Sequence, residues 1–185
     1  MKTGHPPLER AGRELLALDR AVYTAIHATP SPMLDPAIAR ISTAADRSRI
    51  WLSVAVVLAG SGARRRRAAV VGLAAVGITS AVVNLAVKPS VRRRRPSPGE
   101  TVRTRVVRMP TSASYPSGHT ASAFAFSTAV GGDLPELDTA LRLMATVVAY
   151  SRVHTGVHYP GDVIAGAVIG SGIGSAVRHL ARRFG

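Results

Sequence analysis

The chain has 185 residues, which suits one domain, and carries a formal net charge of +14 without a single cysteine. The missing thiols exclude a disulfide framework, a zinc–thiolate site and a cysteine nucleophile. So basic a chain is either a nucleic-acid binder or a membrane protein whose basic flanks face anionic lipid or a phosphorylated substrate.

In chain order, Met1 to Pro7 reads as a frayed tail. Glu9 to Ala28 has helical periodicity, with Leu15, Leu18, Val22 and Ile26 on one face, and is expected to lie as an amphipathic helix at a membrane surface. Asp19 and Arg20 interrupt this first apolar stretch and no cleavage pattern follows it, so no signal peptide is expected. Thr29-Pro30-Ser31-Pro32 breaks the helix. Met33 to Asp46 is a second amphipathic piece with Leu34, Ile38 and Ile41 as its stripe. Trp51 stands where an interfacial aromatic would, at the head of the apolar run Ile50 to Ala63.

Ala68 to Val87 is a twenty-residue uncharged run between Arg64-Arg65-Arg66-Arg67 and Lys88. That length spans a hydrocarbon core of about 30 Å. Further apolar runs cover Gly118 to Gly132, Leu137 to Tyr150 (apart from Asp138 and Arg142), and Val163 to Val177, which ends at Arg178. Their Ala, Val and Gly content suits close helix packing in lipid; a soluble bundle with buried Ala/Val helices is the alternative. The charge distribution favours the membrane. The expected fold is all-α: an integral membrane helical bundle with about five membrane-embedded helices plus N-terminal amphipathic helices. The domain plan is a single unit over 1–185, with an interfacial region 1–46 and a bundle 47–180 interrupted by a long polar loop, 88–117.

Three segments carry chemistry. In Lys88-Pro89-Ser90-Val91-Arg92-Arg93-Arg94-Arg95-Pro96, lysine supplies a point charge and arginine a fork that can grip two phosphate oxygens. Alone it also reads as the basic flank of a membrane helix. Tyr115-Pro116-Ser117-Gly118-His119 has the residues of a helix start, whose free N–H groups bind phosphate; Gly118 admits close approach and His119 titrates near neutrality. Alone it also reads as an ordinary capped helix. In Ser151-Arg152 to Asp162, Pro160 fits the first position of a helix and Asp162 its first turn, four residues from His158. A carboxylate on one ring nitrogen leaves the other free to attack; the plainer reading is a charged pair capping a helix. His154 reads as a pocket-wall or packing histidine, because no acid is suitably spaced from it. Counting crossings puts all three segments on one face of the bundle.

Lys88 with six residues before Arg95-Pro96, then Pro116-Ser117-Gly118-His119, then Ser151-Arg152 with His158 and Asp162 at fixed intervals, resembles the three-part signature of the type 2 phosphatidic acid phosphatase superfamily. The resemblance implies membrane lipid phosphate phosphatases, and the chain is similar to short bacterial members that include undecaprenyl-diphosphate phosphatases. It implies phosphate-binding roles for Lys88, Arg95, Ser117, Gly118 and Arg152, an acid role for His119, the nucleophile at His158 and its partner at Asp162. The two-step reaction it implies passes through a phosphohistidine. Four arginines before Pro96 depart from the commonest pattern, so Arg92, Arg93 and Arg94 are expected to add general positive charge toward substrate or headgroups. A first spanning helix before residue 47 is also missing.

No cofactor and no metal are expected, since a two-metal phosphatase needs clustered carboxylates and only Asp162 is expected near the site. The expected partners are a phosphorylated lipid and the membrane, not nucleic acid; oligomeric state stays open. The lipid also stays open, among phosphatidic acid, phosphatidylglycerol phosphate, a polyprenyl diphosphate and a polyprenyl-phosphosugar phosphate. Rival readings are a phosphotransferase of the same family and a non-catalytic basic membrane or nucleic-acid-binding protein. A haloperoxidase of the same fold is disfavoured, those relatives being larger and soluble. The basic flanks at 64–67 and 178–183 favour a site outside the cytoplasm.

Overall fold

The computed structural model describes residues 7–97 and 107–184. Of the expected tail, Pro7 already opens a helix; the rest lies outside the described residues, as do Arg103 and Arg105 of the loop. The described regular structure is all helical: α1 (Pro7–Ala28), α2 (Asp35–Ala44), α3 (Arg49–Ala59), α4 (Ala63–Ala81), α5 (Lys88–Val91), α6 (Gly118–Asp133), α7 (Pro135–His154) and α8 (Pro160–Phe184). A 3₁₀ turn, Asp46–Ser48, joins α2 to α3, and a widened π-type turn, Val82–Val87, joins α4 to α5. Pro89 accounts for the widening. It cannot donate to the carbonyl four residues back, and its ring crowds that carbonyl. The helix therefore continues past Lys88 and ends at Val91, not at Val87 as the charge pattern suggests.

The bundle is built round α6, which packs against α8, α4 and α7. Its residues are buried on nearly every side, from Thr120 to Gly131, as expected of a helix with no polar stripe. The α6–α8 contact is set by glycine. Gly166, Gly170 and Gly174 recur every fourth residue and share one face of α8. A Cβ on Gly166 would sit 2.6 Å from the Ser117 carbonyl oxygen, one on Gly174 2.5 Å from that of Ala125, and one on Gly170 would overlap the Ala121 oxygen. The two backbones thus touch directly, the small-residue mode of packing in lipid. Ala63–Val91 and α8 are each long and apolar enough to cross a bilayer. Val56, Val57, Val70, Leu85, Leu143 and Val168 point outward, an apolar surface suited to lipid.

Several expectations change. Trp51 is not an interfacial anchor: it is 1% exposed and stacks at 5.3 Å on Phe126 inside the core. The buried face of α2 is Ala39 and Ser42, beside the predicted stripe, of which Leu34 is exposed. On α1 the stripe Leu15, Leu18 and Val22 faces outward, while Tyr23 packs inward against Tyr159. At the end away from the motif segments, α4 begins and α6 and α8 finish. There Arg64, Arg178 and Arg182 satisfy the last carbonyls or the carboxylate of Asp133 and Gly132.

The α6–α8 contact makes a direct prediction. Gly170→Ala is expected to destabilise the protein by at least about 1–3 kcal/mol through overpacking. Gly172→Ala, whose Cβ meets nothing within 4 Å, is expected to stay within about 0.5 kcal/mol. Thermal unfolding in detergent checks both, and equal midpoints would contradict the packing.

Candidate active site

The starts of α6 and α8 meet at the site. Ser117 has extended backbone and caps α6, its Oγ accepting from the Thr120 hydroxyl at 3.0 Å. Its own N–H donates to the Asp162 carbonyl at 2.9 Å, tying one helix start to the other. Ser117 is fully buried. Its N–H and hydroxyl hold the two helix starts and the first turn of α6 together. The N–H groups of Gly118 and His119, the first two of α6, are the unpaired helix-start donors. A Cβ on Gly118 would lie 3.7 Å from Lys88 Nζ, so glycine leaves the approach to both groups open.

Asp162 falls in the first turn of α8 as predicted, with its carboxylate wholly buried. Its Oδ2 lies 3.5 Å from His158 Nδ1, accepts from the Ser114 hydroxyl at 2.5 Å and from the Tyr159 N–H at 3.0 Å. Its Oδ1 accepts from Arg93 at 2.9 Å. Ser114 Oγ is also 3.4 Å from His158 Nδ1, bridging the pair. On the ring's other side Arg95 donates to His158 Nε2 at 3.0 Å. A guanidinium has no acceptor. Nε2 therefore carries the lone pair and Nδ1 the proton, facing Asp162. Burial pushes the His158 pKa down to about 3, against the opposing pull of its bond to Asp162, and the nearby Arg95 and Arg152 charges add to the lowering. The ring is neutral at physiological pH, with Nε2 on the cationic side.

Arg95 and Lys88 meet over Ser112, whose Oγ is 3.2 Å from the guanidinium and 3.3 Å from Nζ. Arg95 also holds the returning loop through the Ser112 and Val157 carbonyls at 2.9 and 2.8 Å. Burial lowers its pKa to about 10, so it stays charged. Arg152, 2% exposed, donates to the Ser42 hydroxyl at 2.7 Å, and its Nε is buried without a partner. The structure thus gathers Lys88, Arg95, Gly118, His119, Arg152, His158 and Asp162 at one end of the bundle.

Four partners escaped the sequence reading. Asp46 Oδ1 lies 2.8 Å from His119 Nε2 and 3.8 Å from Arg152, so Asp162 is not the only carboxylate at the site. Arg47 and Ser48 beside it have φ of 54° and 59°, left-handed values that turn the chain sharply there. Asp19 accepts from Arg93 at 2.5 Å and from the Gly161 N–H at 2.6 Å, capping the start of α8. Arg93 therefore holds Asp19 and Asp162 together and stacks on Tyr159 at 4.3 Å; it is not general positive charge. Ser42 and Ser114 complete the set. For Asp19 a signal existed, since it lies four residues from both Leu15 and Tyr23 on a helix face; Asp46 and the two serines offered none. His154 has an acid after all, Asp35 at 2.7 Å, supplied by α2, and is a buried packing histidine.

Such a site can hold a phosphoryl group among cations and helix-start N–H groups while presenting a neutral imidazole nitrogen to it. The comparisons agree with that chemistry. A family model described as PAP2 superfamily matches residues 68–185. A decaprenylphosphoryl-5-phosphoribose phosphatase of Mycobacterium tuberculosis is 34% identical over 175 residues, 91% of this chain and 92% of the relative. The undecaprenyl-diphosphatase BcrC of Bacillus subtilis is 28% identical over 83% of this chain and 79% of its own. In fold, the chain is similar to a transmembrane PAP2-type phosphatidylglycerolphosphate phosphatase from Bacillus subtilis, with a TM-score of 0.74 at 22% identity over 93% of this chain and 88% of that one. Aquifex aeolicus LpxE gives a TM-score of 0.68 at 24% identity, covering 86% and 94% of the two chains. With the family model covering more than half of its length and a near full-length relative at 34% identity, the chain belongs to the PAP2 superfamily.

Proposed function

We propose that this PAP2 enzyme hydrolyses a phosphomonoester or diphosphate on a membrane lipid through a phosphohistidine at His158. The observation that carries the reading is the setting of the His158 ring, with the Arg95 guanidinium at Nε2 and Asp162 and Ser114 at Nδ1. Nε2 attacks phosphorus and the bond to the leaving oxygen breaks. Lys88, Arg95, Arg152 and the Gly118 and His119 N–H groups hold the phosphoryl oxygens as charge builds on them. The imidazole becomes cationic, and the Asp162 carboxylate stabilises that charge. His119, oriented by Asp46, protonates the leaving oxygen; it then takes a proton from the water that cleaves the phosphohistidine. The relatives' printed activities, on a decaprenyl-linked phosphoribose and on undecaprenyl diphosphate, support a polyprenyl phosphate as the lipid.

We further propose that α3, α6 and α7 sit in the membrane with the two longer spans, giving five embedded helices, and that the site faces away from the cytoplasm. The short basic flanks at the opposite end, Arg64 to Arg67 and Arg178 to Arg183, support that orientation. Arg93 and Arg95 at the site end are tied into the protein and weigh less in the balance.

His158→Ala is expected to lower phosphate release at least about a thousand-fold, and rapid quench should trap an acid-labile phosphoenzyme in the wild type only. His119→Ala is expected to cost about 10²–10⁴ on a lipid substrate and far less on p-nitrophenyl phosphate, whose leaving group needs no proton. Normal turnover in His158→Ala would contradict the reading.

Activity is expected to persist in excess EDTA and to fall with vanadate, which mimics the five-coordinate phosphoryl group. Loss on chelation that magnesium restores would overturn the cationic mechanism.

For orientation, Ser97→Cys at the site end and Ser61→Cys in the α3–α4 turn are expected to differ in intact cells. An impermeant maleimide should label the first and spare the second, and the reverse pattern would place the site in the cytoplasm.

A further inference from the structure

Asp19 is a largely buried carboxylate that no step of the reaction uses. Its Oδ2 accepts from Arg93 Nη2 at 2.5 Å and its Oδ1 from the Gly161 N–H at 2.6 Å. Arg93 Nη1 in turn donates to Asp162 Oδ1 at 2.9 Å, and Asp162 Oδ2 lies 3.5 Å from His158 Nδ1. The contacts thus run from Asp19 through Arg93 and Asp162 to His158. Only the last two stand at the motif spacing. Little water reaches this line: the side chains of Asp19, Arg93 and Asp162 are 9%, 18% and 0% exposed. Leu15, Leu18, Val22 and Ile164 line the same groove as Asp19 and Arg93. Charges in such a setting act on one another with little screening.

Arg93 without Asp19 would work against the reaction. When Nε2 attacks phosphorus, the N–P bond forms and the bond to the leaving oxygen breaks. The ring keeps its Nδ1 proton and becomes an imidazolium. That cation arises with the Arg95 guanidinium 3.0 Å from Nε2 and with the Arg152 charge also bearing on the ring. Asp162 is the carboxylate that faces it. An Arg93–Asp162 pair on its own sums to zero and leaves little net charge to offset the ring. Asp19 supplies a second carboxylate, so the three groups together carry one net negative charge. The start of α8, whose N–H groups carry partial positive charge, draws on Asp19 as well through Gly161. A brace needs only a hydrogen-bond acceptor here, which a neutral amide also offers. A counter-charge needs the ion.

We infer that Asp19 is a positioning residue for phosphoryl transfer: acting through Arg93, it returns to Asp162 the net negative charge that stabilises the imidazolium formed on His158. This rests on the phosphohistidine reading and deepens it. Asp19 touches neither substrate nor the reacting ring, so its charge matters when the ring becomes cationic and not when the lipid binds. It gives α1, a helix outside the motif segments, a part in the rate of the covalent step.

The test is rapid quench on purified protein in detergent, with terminally labelled farnesyl diphosphate and labelled dioleoyl phosphatidic acid as probes. Asp19→Asn keeps the size and an acceptor oxygen but removes the charge. It is expected to slow phosphoenzyme formation and kcat about tenfold while KM stays within about twofold, the pattern of an interaction made only in the transition state. Asp19→Asn/Arg93→Gln removes one anion and one cation, so the net charge beside His158 returns to that of the wild type. It is expected to recover a rate within about threefold of the wild type. If a melting curve shows the double variant unfolded, Asp19→Glu carries the test. It keeps the charge on a longer side chain and is expected to exceed Asp19→Asn by at least about threefold. A double variant as slow as Asp19→Asn or slower is what a mere brace predicts. That result, an Asp19→Glu variant no faster than Asp19→Asn, or wild-type phosphoenzyme formation in Asp19→Asn would overturn the inference and leave the phosphohistidine intact. Absence of a wild-type phosphoenzyme from both probes would instead overturn the phosphohistidine reading, and the inference with it.

Discussion

Everything at the site depends on how closely two helices approach. Gly166, Gly170 and Gly174 let α8 press its backbone against the carbonyls of Ser117, Ala121 and Ala125. Any side chain there would push the helices apart. At contact distance the two helix starts come level, and Ser117 N–H reaches the Asp162 carbonyl. That one bond sets the offset between the start carrying Gly118 and His119 and the start carrying Asp162. His158, held by the end of α7 through the Arg152 carbonyl, then falls between them. The geometry of the candidate site is thus fixed by direct backbone contact between two helices, the small-residue mode of packing found in lipid.

Charge is handled by distributing it. The site concentrates Lys88, Arg93, Arg95 and Arg152 in one region, which would repel if left alone. Two of these four are largely spent on protein. Arg93 is neutralised by Asp19 and Asp162, and Arg95 is anchored by three loop carbonyls. Arg152 is the most buried and, among the described residues, bonds Ser42, with Asp46 at 3.8 Å. Its unpaired Nε is an orphan donor in an otherwise satisfied region, a condition that a phosphoryl oxygen would relieve. Arg93 shows the converse. It sits within the motif run yet works as a brace, locking α1 and α8 around Tyr159.

The sequence exposed the motif residues that the structure gathers and hid their supports. Apolar runs placed α6 and α7 to within a few residues, whereas α4 begins at Ala63 and α8 ends at Phe184, both running through their arginine flanks. The spacing of His158 and Asp162 follows from a helix first turn and could be read directly. Pro89, read as part of the loop, instead sits in a helix that widens before it and continues to Val91. By contrast, Asp46, Ser42 and Ser114 are far in sequence from the groups they serve, and neither periodicity nor motif spacing encodes such a contact. Trp51 misled for a related reason: a tryptophan at the head of an apolar run looks the same whether its partner is a headgroup or Phe126.

The N-terminal helices are the part of the chain whose role changed most between sequence and structure. Amphipathicity alone makes α1 a surface helix, and its Leu15, Leu18 and Val22 do face outward. Yet its other face carries Asp19 into the start of α8 and Tyr23 onto Tyr159 and the Gly156 carbonyl. The α2–α3 turn does the same on the opposite side, delivering Asp46 to His119 and Ser42 to Arg152. The carboxylates that a metal-dependent phosphatase would cluster are here dispersed one to each histidine and each brace. All but Asp162 are brought in by elements from the first fifty residues, outside the matched family region 68–185. The motif residues are therefore only part of the candidate site. The N-terminal elements supply the carboxylates that brace it, while α1 turns its apolar stripe outward.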